Sequence, residues 1–427
     1  MKTLNNPGRE TWKELVKRPQ LELEFLESSV RNTLNRVKLS GDLALRELTL
    51  QFDGASIENV AVSEQEIKDA IHQLDESIKN AIRMAANNIR KFHQQQKIGA
   101  YEVETMPGVT CWRKSLPIQK VGIYIPGGTA PLFSTVLMLG IPAVLAGCEE
   151  IVLCTPPDKD GSVNAAILFT ASLSGIKKIF KVGGAQAIAA MAYGTQTIPA
   201  VNKVFGPGNQ YVTKAKQMVN LDGVAIDMPA GPSEVMIIAD ELADASFIAA
   251  DLLSQAEHGT DSQVVLVALT ESIIDQVQKE IEQQVTSLPR KDIARQALLN
   301  SLAIYFPKKE TAIQFANEYA PEHLIINTLD CDSIADKIIN AGSIFLGPLS
   351  PEAVGDYASG TNHTLPTNGF AKAYSGVSLE SFTKTITYQK LTADGLKNIG
   401  PAVETMAQAE QLEGHKRAVS IRLKNLK

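Results

Sequence analysis

Residues 22–98 set apolar side chains at helical spacing among charged ones and contain no strand-like run, which predicts an all-helical N-terminal arm. The pattern changes near residue 121. Short runs rich in β-branched and aromatic residues appear at 121–125 (VGIYI), 151–154 (IVLC), 178–182 (KIFKV) and 203–205 (KVF), with stretches rich in Ala, Leu and Met between them. A second set follows at 234–238 (EVMII), 263–267 (QVVLV), 302–306 (LAIYF) and 343–346 (SIFL). Alternation of this kind predicts parallel βαβ units, here in two α/β halves. Residues 350–384 are irregular and rich in Gly, Ser and Thr, and the tail from about 385 reads as mainly helical and amphipathic, suited to packing on a partner. The expected organisation is a mainly helical segment 1–110 packing with the second α/β domain, a first α/β domain at 111–233, a second at 234–384, and a helical tail at 385–427.

Composition narrows the class. A chain of 427 residues with 44% hydrophobic content is long enough for at least two domains with large cores. Its 41 basic and 47 acidic residues leave a net charge of −6, which argues against nucleic acid or a membrane surface as the main partner. The start (MKTLNNP) is too polar for a signal peptide. The most apolar stretch, 130–147, contains Pro131 and Pro142 and reads as a buried helix rather than a membrane span. Four cysteines in so long a chain do not make a disulfide framework, and Cys148 and Cys154 sit in apolar surroundings that suit inert thiols. A reduced, cytoplasmic compartment is the expectation.

Three predicted strands run into glycine-rich turns, at 124–128 (YIPGG), 182–186 (VGGAQ) and 205–209 (FGPGN). Turns at the carboxyl ends of parallel strands are where α/β sheets bind ligands, and glycine lets the backbone approach a phosphate at the next helix N-terminus. None matches G-x-G-x-x-G, and each alone is an ordinary βα turn. The segment 227–234 (DMPAGPSE) reads as a stiff loop in which Ser233 is placed to hydrogen-bond a substrate, without the Gly-x-Ser-x-Gly setting of a nucleophile.

The chain has six histidines. His258 lies three residues after Gln255 at the end of an apolar helical run, so both side chains share a face. His323 follows Glu322 directly after Pro321, an adjacent acid and imidazole able to act as bases, or a loop pair facing water. Asp356 precedes His363, and His415 stands in the tail. One carboxylate with several imidazoles is the material of a divalent metal site, although spacing alone does not establish zinc and a glutamine is a weak ligand. His72 and His93 lie in polar helical stretches and are expected to face solvent.

Seven motifs in this order resemble the histidinol dehydrogenase family over nearly the whole chain: 124–136 (YIPGGTAPLFSTV), 182–188 (VGGAQAI), 205–209 (FGPGN), 226–234 (IDMPAGPSE), 252–259 (LLSQAEHG), 321–324 (PEHL) and 355–363 (GDYASGTNH). The resemblance implies two Rossmann-like parallel-sheet domains in an intertwined homodimer. It implies oxidation of L-histidinol through histidinaldehyde to L-histidine with two NAD⁺ in turn. By similarity, zinc is held by Gln255, His258, Asp356 and His415, with His415 coming from the other subunit and the substrate completing the shell. Glu322 and His323 are then catalytic, Ser233, His363 and Glu410 join His323 and the zinc ligands in holding substrate, and Tyr124, Gln186 and Asn209 contact NAD. The residues themselves leave open a zinc-dependent hydrolase, a non-catalytic binding module, and a dehydrogenase acting on another amino alcohol.

Overall fold

The computed structural model describes residues 1–18, 23–97, 99, 101–127, 131–229 and 231–426. Gly128 of the first glycine-rich turn, Thr129 and Ala130 of the same motif, and Ala230 of the 227–234 loop lie outside the described residues. The strands run in chain order β1 (Lys2–Asn5), β2 (Glu102–Met106), β3 (Val109–Pro117), β4 (Lys120–Tyr124), β5 (Glu150–Thr155), β6 (Lys178–Lys181), β7 (Lys203–Phe205), β8 (Ala225–Ile226), β9 (Glu234–Ala239), β10 (Gln263–Ala268), β11 (Leu302–Tyr305), β12 (His323–Asn327), β13 (Ser343–Leu346) and β14 (Thr383–Leu391). The chain divides into two compact units, 1–95 with 118–382 and 96–117 with 383–427.

The first unit holds two parallel sheets. One has the order β6-β5-β4-β7-β8 and the other β1-β11-β10-β9-β12-β13. Each is covered by helices on both faces, which is why β9, β10 and β12 are buried along their whole length and read as apolar runs instead of alternating ones. Strand order reverses between β4 and β7 in the first sheet and between β9 and β12 in the second, and such reversals open a crevice. The apolar stretch expected as a buried helix is Phe133–Ala146, ended by Gly147 in the left-handed region (φ 88°). No helix among the described residues is long and apolar enough to cross a membrane.

Several expectations are corrected. The described elements of the arm 22–98 are the helices Leu23–Asp53, Glu64–Gln73 and Glu76–Gln94, as expected, but ahead of it β1 adds a parallel edge strand beside β11, and Trp12 packs edge-on to Phe306 and Phe315 in the second sheet's core. The longest of these helices packs with the first domain, whereas Glu76–Gln94 also meets the second, where Asn88 Nδ2 donates to the Ala358 carbonyl at 3.0 Å. Val30, Leu34, Val37, Leu45 and Leu48 of helix Leu23–Asp53 share a core with Ile188, Met191 and Val212 of the first. His93 is fully buried, not solvent-facing, with Asn362 Nδ2 at 3.5 Å from its Nε2. The boundary drawn at 110/111 cuts through β3.

The second unit is built on the antiparallel sheet β14-β3-β2. The tail read as helical therefore begins as a nine-residue strand paired with β3 from Thr383↔Pro117 to Leu391↔Val109. Trp112 stacks on Tyr388 across the pair, with ring centroids 5.3 Å apart. Helices Ala393–Ala409 and Glu413–Asn425 follow.

Candidate active site

A cavity of about 530 Å³ opens in the first unit. From the first sheet it takes Thr135 and the 206–209 turn after β7, and from the second it takes Gln255, His258, Glu322, His323, Asp356 and His363. Ser233 and Asn209 also line it. The first sheet thus presents carboxyl ends of strands to the cavity, as the glycine-rich turns suggested. The second presents amino ends, because Glu234 and His323 are the first residues of β9 and β12.

Glycine is required at one position of the turn after β7. Gly206 has φ +126°, and a Cβ there would lie 2.1 Å from the Tyr124 carbonyl oxygen. Its N–H donates to Asp227 Oδ2 at 2.9 Å and its carbonyl accepts from Lys216 Nζ at 2.9 Å. Lys216 and Asp227 form a buried ion pair, so a closed network of charge holds the turn against the cavity. Asn209 caps the next helix, its Oδ1 accepting from Val212 N at 3.1 Å.

The Glu322–His323 pair is not a solvated loop. Both residues are buried, and His323 starts a central strand. The main chain of Glu234 holds both: its N–H donates to Glu322 Oε2 at 2.8 Å, and its carbonyl accepts from His323 Nδ1–H at 3.2 Å. A carbonyl and an ionised carboxylate can only accept, so His323 carries protons on both ring nitrogens and Nε2–H donates to Asp356 Oδ1 at 3.2 Å. Burial pushes the Glu322 carboxyl above its ordinary value. Burial acts to lower His323, but the charges of Glu322 and Asp356 outweigh it and hold the imidazole well above its usual range. Asp356 is raised by burial and lowered by more through the His323 bond and the neighbouring imidazoles, which leaves it an ionised carboxylate.

The Gln255 amide is turned by its neighbours. Its nitrogen donates to Glu352 Oε1 at 3.0 Å and its oxygen accepts from Glu234 N–H at 3.1 Å. Glu352 sits one helical turn before Asp356, accepts from Ser254 Oγ at 2.7 Å, and keeps Oε2 buried with no hydrogen-bond partner. Burial pushes its carboxyl up to about 8. His363 donates from Nδ1–H to the Asp356 carbonyl at 2.8 Å, so its Nε2 accepts from Thr135 Oγ1–H at 3.0 Å. Desolvation lowers the pKa of His363 and of His258, which stands at the rim, and keeps both neutral near pH 7.

Among the described residues no three His, Cys, Asp or Glu side chains are gathered as a metal-holding group. The donors that do meet in this unit are a neutral imidazole (His258), an ionised carboxylate (Asp356) and an amide (Gln255), a nitrogen and oxygen set that fits zinc in kind. The remaining candidate, His415, belongs to the second unit, where it is exposed in the first turn of the last helix, and Glu410 is exposed at the end of the helix before it. Of the nucleotide candidates, Asn209 lines the cavity. Tyr124 and Gln186 do not: both are buried at the carboxyl ends of β4 and β6, where the Tyr124 hydroxyl accepts from Gly184 N–H at 3.1 Å. The cavity is lined by no cysteine, and all four cysteines are free.

Thr135, Lys216, Asp227 and Glu352 carry roles that sequence reasoning did not assign. Thr135 and Asp227 fall inside the quoted motifs. Glu352 had a usable signal, a carboxylate four residues before Asp356 and so on the same helix face.

The histidinol dehydrogenase family model matches residues 16–423. A curated histidinol dehydrogenase from Bacteroides fragilis is 57% identical over 427 residues, covering 100% of both chains. One from Aliivibrio fischeri is 53% identical over 415 residues, covering 96% of this chain and 94% of its own. The crystal structure of histidinol dehydrogenase from Elizabethkingia anophelis superposes with a TM-score of 0.97 at 56% identity, covering 100% of this chain and 98% of that one. With a family match across nearly its whole length and full-length relatives above half identity, the chain belongs to the histidinol dehydrogenase family of enzymes.

Proposed function

We propose that this enzyme catalyses the four-electron oxidation of L-histidinol to L-histidine through L-histidinaldehyde, in histidine biosynthesis, using two NAD⁺ in turn and one zinc per subunit. The observation that carries the reading is the Glu322–His323 pair, locked to the main chain of Glu234 at the edge of a cavity that also holds Gln255, His258 and Asp356. Those three, with the partner subunit's His415, would hold the metal in a homodimer. Zinc, when bound, supplies an orienting template for the substrate's imidazole and amine without changing its own redox state.

The chain's own groups divide the proton chemistry. In the first oxidation His323 takes the hydroxyl proton on Nε2 as hydride passes to the nicotinamide. Asp356 is claimed twice, as acceptor of His323 Nε2–H and as a candidate ligand; in the second role it no longer holds that proton, and His323 can act as a neutral base. The aldehyde adds water, which Glu322 activates, and His323 is again the base when the hydrate gives up its hydride. Burial suits Glu322 to this, because a carboxylate with a raised pKa is a stronger base. Ser233, His363 and Glu410 would hold the substrate beside the catalytic pair and the metal ligands. Tyr124, Gln186 and Asn209 would contact NAD, on turns that lack the dinucleotide fingerprint. Four free thiols suit a reduced, cytoplasmic setting. A thioester route has no support, since the cavity is lined by no cysteine and burial raises the Cys148 thiol to about 11.

Removal of metal by a chelator is expected to abolish turnover, and added zinc to restore it. Asp356→Asn should retain less zinc by direct metal analysis of the purified protein. Undiminished turnover in metal-free enzyme would take zinc out of the reading.

A further inference from the structure

We propose that Arg18 is a positioning residue for the Glu322–His323 pair, acting through Glu234. The inference rests on the reading that this pair carries the chemistry.

Glu234 links two sets of bonds. Its main chain holds Glu322 and His323. Its side chain is clamped from the other side: Arg18 Nε donates to Oε1 at 2.9 Å, Arg18 Nη2 to Oε2 at 2.8 Å, and Asn368 N–H to Oε1 at 2.6 Å. Arg18 is itself fixed. Nη1 donates to the Val16 carbonyl at 2.6 Å, Nη2 to the Tyr319 carbonyl at 2.8 Å, and the guanidinium lies 3.6 Å from the centroid of the Tyr319 ring. Tyr319 is held in turn, its hydroxyl donating to Gln263 Oε1 at 2.8 Å. The side chains of Arg18 and Glu234 are 4% and 1% exposed, so neither can relax into water.

A buried ion pair adds little to stability over an apolar pair of the same shape, but it fixes one geometry, since any other leaves a charge uncompensated. A two-pronged guanidinium–carboxylate contact fixes orientation as well as distance. Arg18 does not line the cavity and so touches no reacting atom. What it sets is where the Glu234 N–H and carbonyl stand, and those set where the two bases point.

Arg18→Lys keeps the charge and removes the fork. It is expected to lower kcat for histidinol oxidation by about 10–100-fold, the scale set by sub-ångström misplacement of catalytic groups, with KM and zinc content unchanged. Val277→Ala, in a core away from the cavity, serves as a control of matched stability: it should lower Tm and leave kcat intact below its transition. In a Glu322→Gln background Arg18→Lys should cost less than it does alone. If Arg18→Lys does not fold, Glu234→Asp, which keeps the charge and shortens the reach, carries the same test. Unchanged kcat per folded enzyme in Arg18→Lys, or a loss no different from that of Val277→Ala, would overturn the proposal. Full activity in Glu322→Gln would remove the chemistry the clamp serves and the clamp with it. Loss in Glu322→Gln with strict additivity of Arg18→Lys would overturn the clamp alone.

Discussion

Glu322→Gln is expected to slow the oxidation of histidinaldehyde by about 10²–10⁴-fold, the usual range for removing a general base, and to slow the oxidation of histidinol by much less. In the proposed sequence water activation belongs to the second step alone. The substitution is close to isosteric, and the new amide oxygen can still accept from Glu234 N–H, so the strand start and its packing should survive. What is lost is the ability to take a proton, in a site where burial has made that proton easier to hold. The two half-reactions are followed separately, one from the alcohol and one from the aldehyde. Equal losses in both would remove Glu322 from water activation.

His258→Ala and His415→Asn are each expected to abolish activity as pure proteins and to lose zinc. A mixed dimer of the two should recover about half of the wild-type rate, because in the proposed two-fold dimer one of the two sites keeps all four proposed ligands. Glu413–Asn425 presents His415 in its first turn and exposed, the placement expected of a side chain offered to another surface. Mixed dimers that stay inactive would mean that His415 serves its own subunit or no metal at all.

Much of the fold could be read from local pattern, and the limits of that reading have physical causes. The eight strand runs read from the α/β halves are strands of the two parallel sheets, and burial on both faces makes most of them nearly continuous in apolar residues, the edge strand β13 being the exposed exception. β12 escaped because it opens with His323 directly after Pro321 and Glu322, whose polarity marks a loop when read locally and a strand start when its neighbours are known. β14 (TKTITYQKL) escaped because its polar alternation, exposed along most of its length, resembles an amphipathic tail. The packing of the N-terminal helices on the first domain depends on which surface their apolar stripe meets, and periodicity does not carry that.

The site was legible only in part, for a similar reason. His258, Glu322, His323, Asp356 and His363 stood out by residue type, and the fold brings them to one cavity. Their supports are distant in sequence and ordinary in type. Arg18 and Glu234 are 216 residues apart, and nothing near either one names the other. Gln255 looked like a poor ligand, and its amide is oriented by Glu352, a partner that only the packed structure reveals. The roles of Glu410 and His415 came from resemblance alone, since both lie in the second unit.

The most direct test of the central claim is a count of NADH formed per L-histidinol consumed by metal-replete enzyme. Two NADH per substrate, with histidine as the product and no free aldehyde released, is the predicted result. One NADH with histidinaldehyde accumulating would contradict the paired oxidation at a single site, and none would contradict the dehydrogenase chemistry itself.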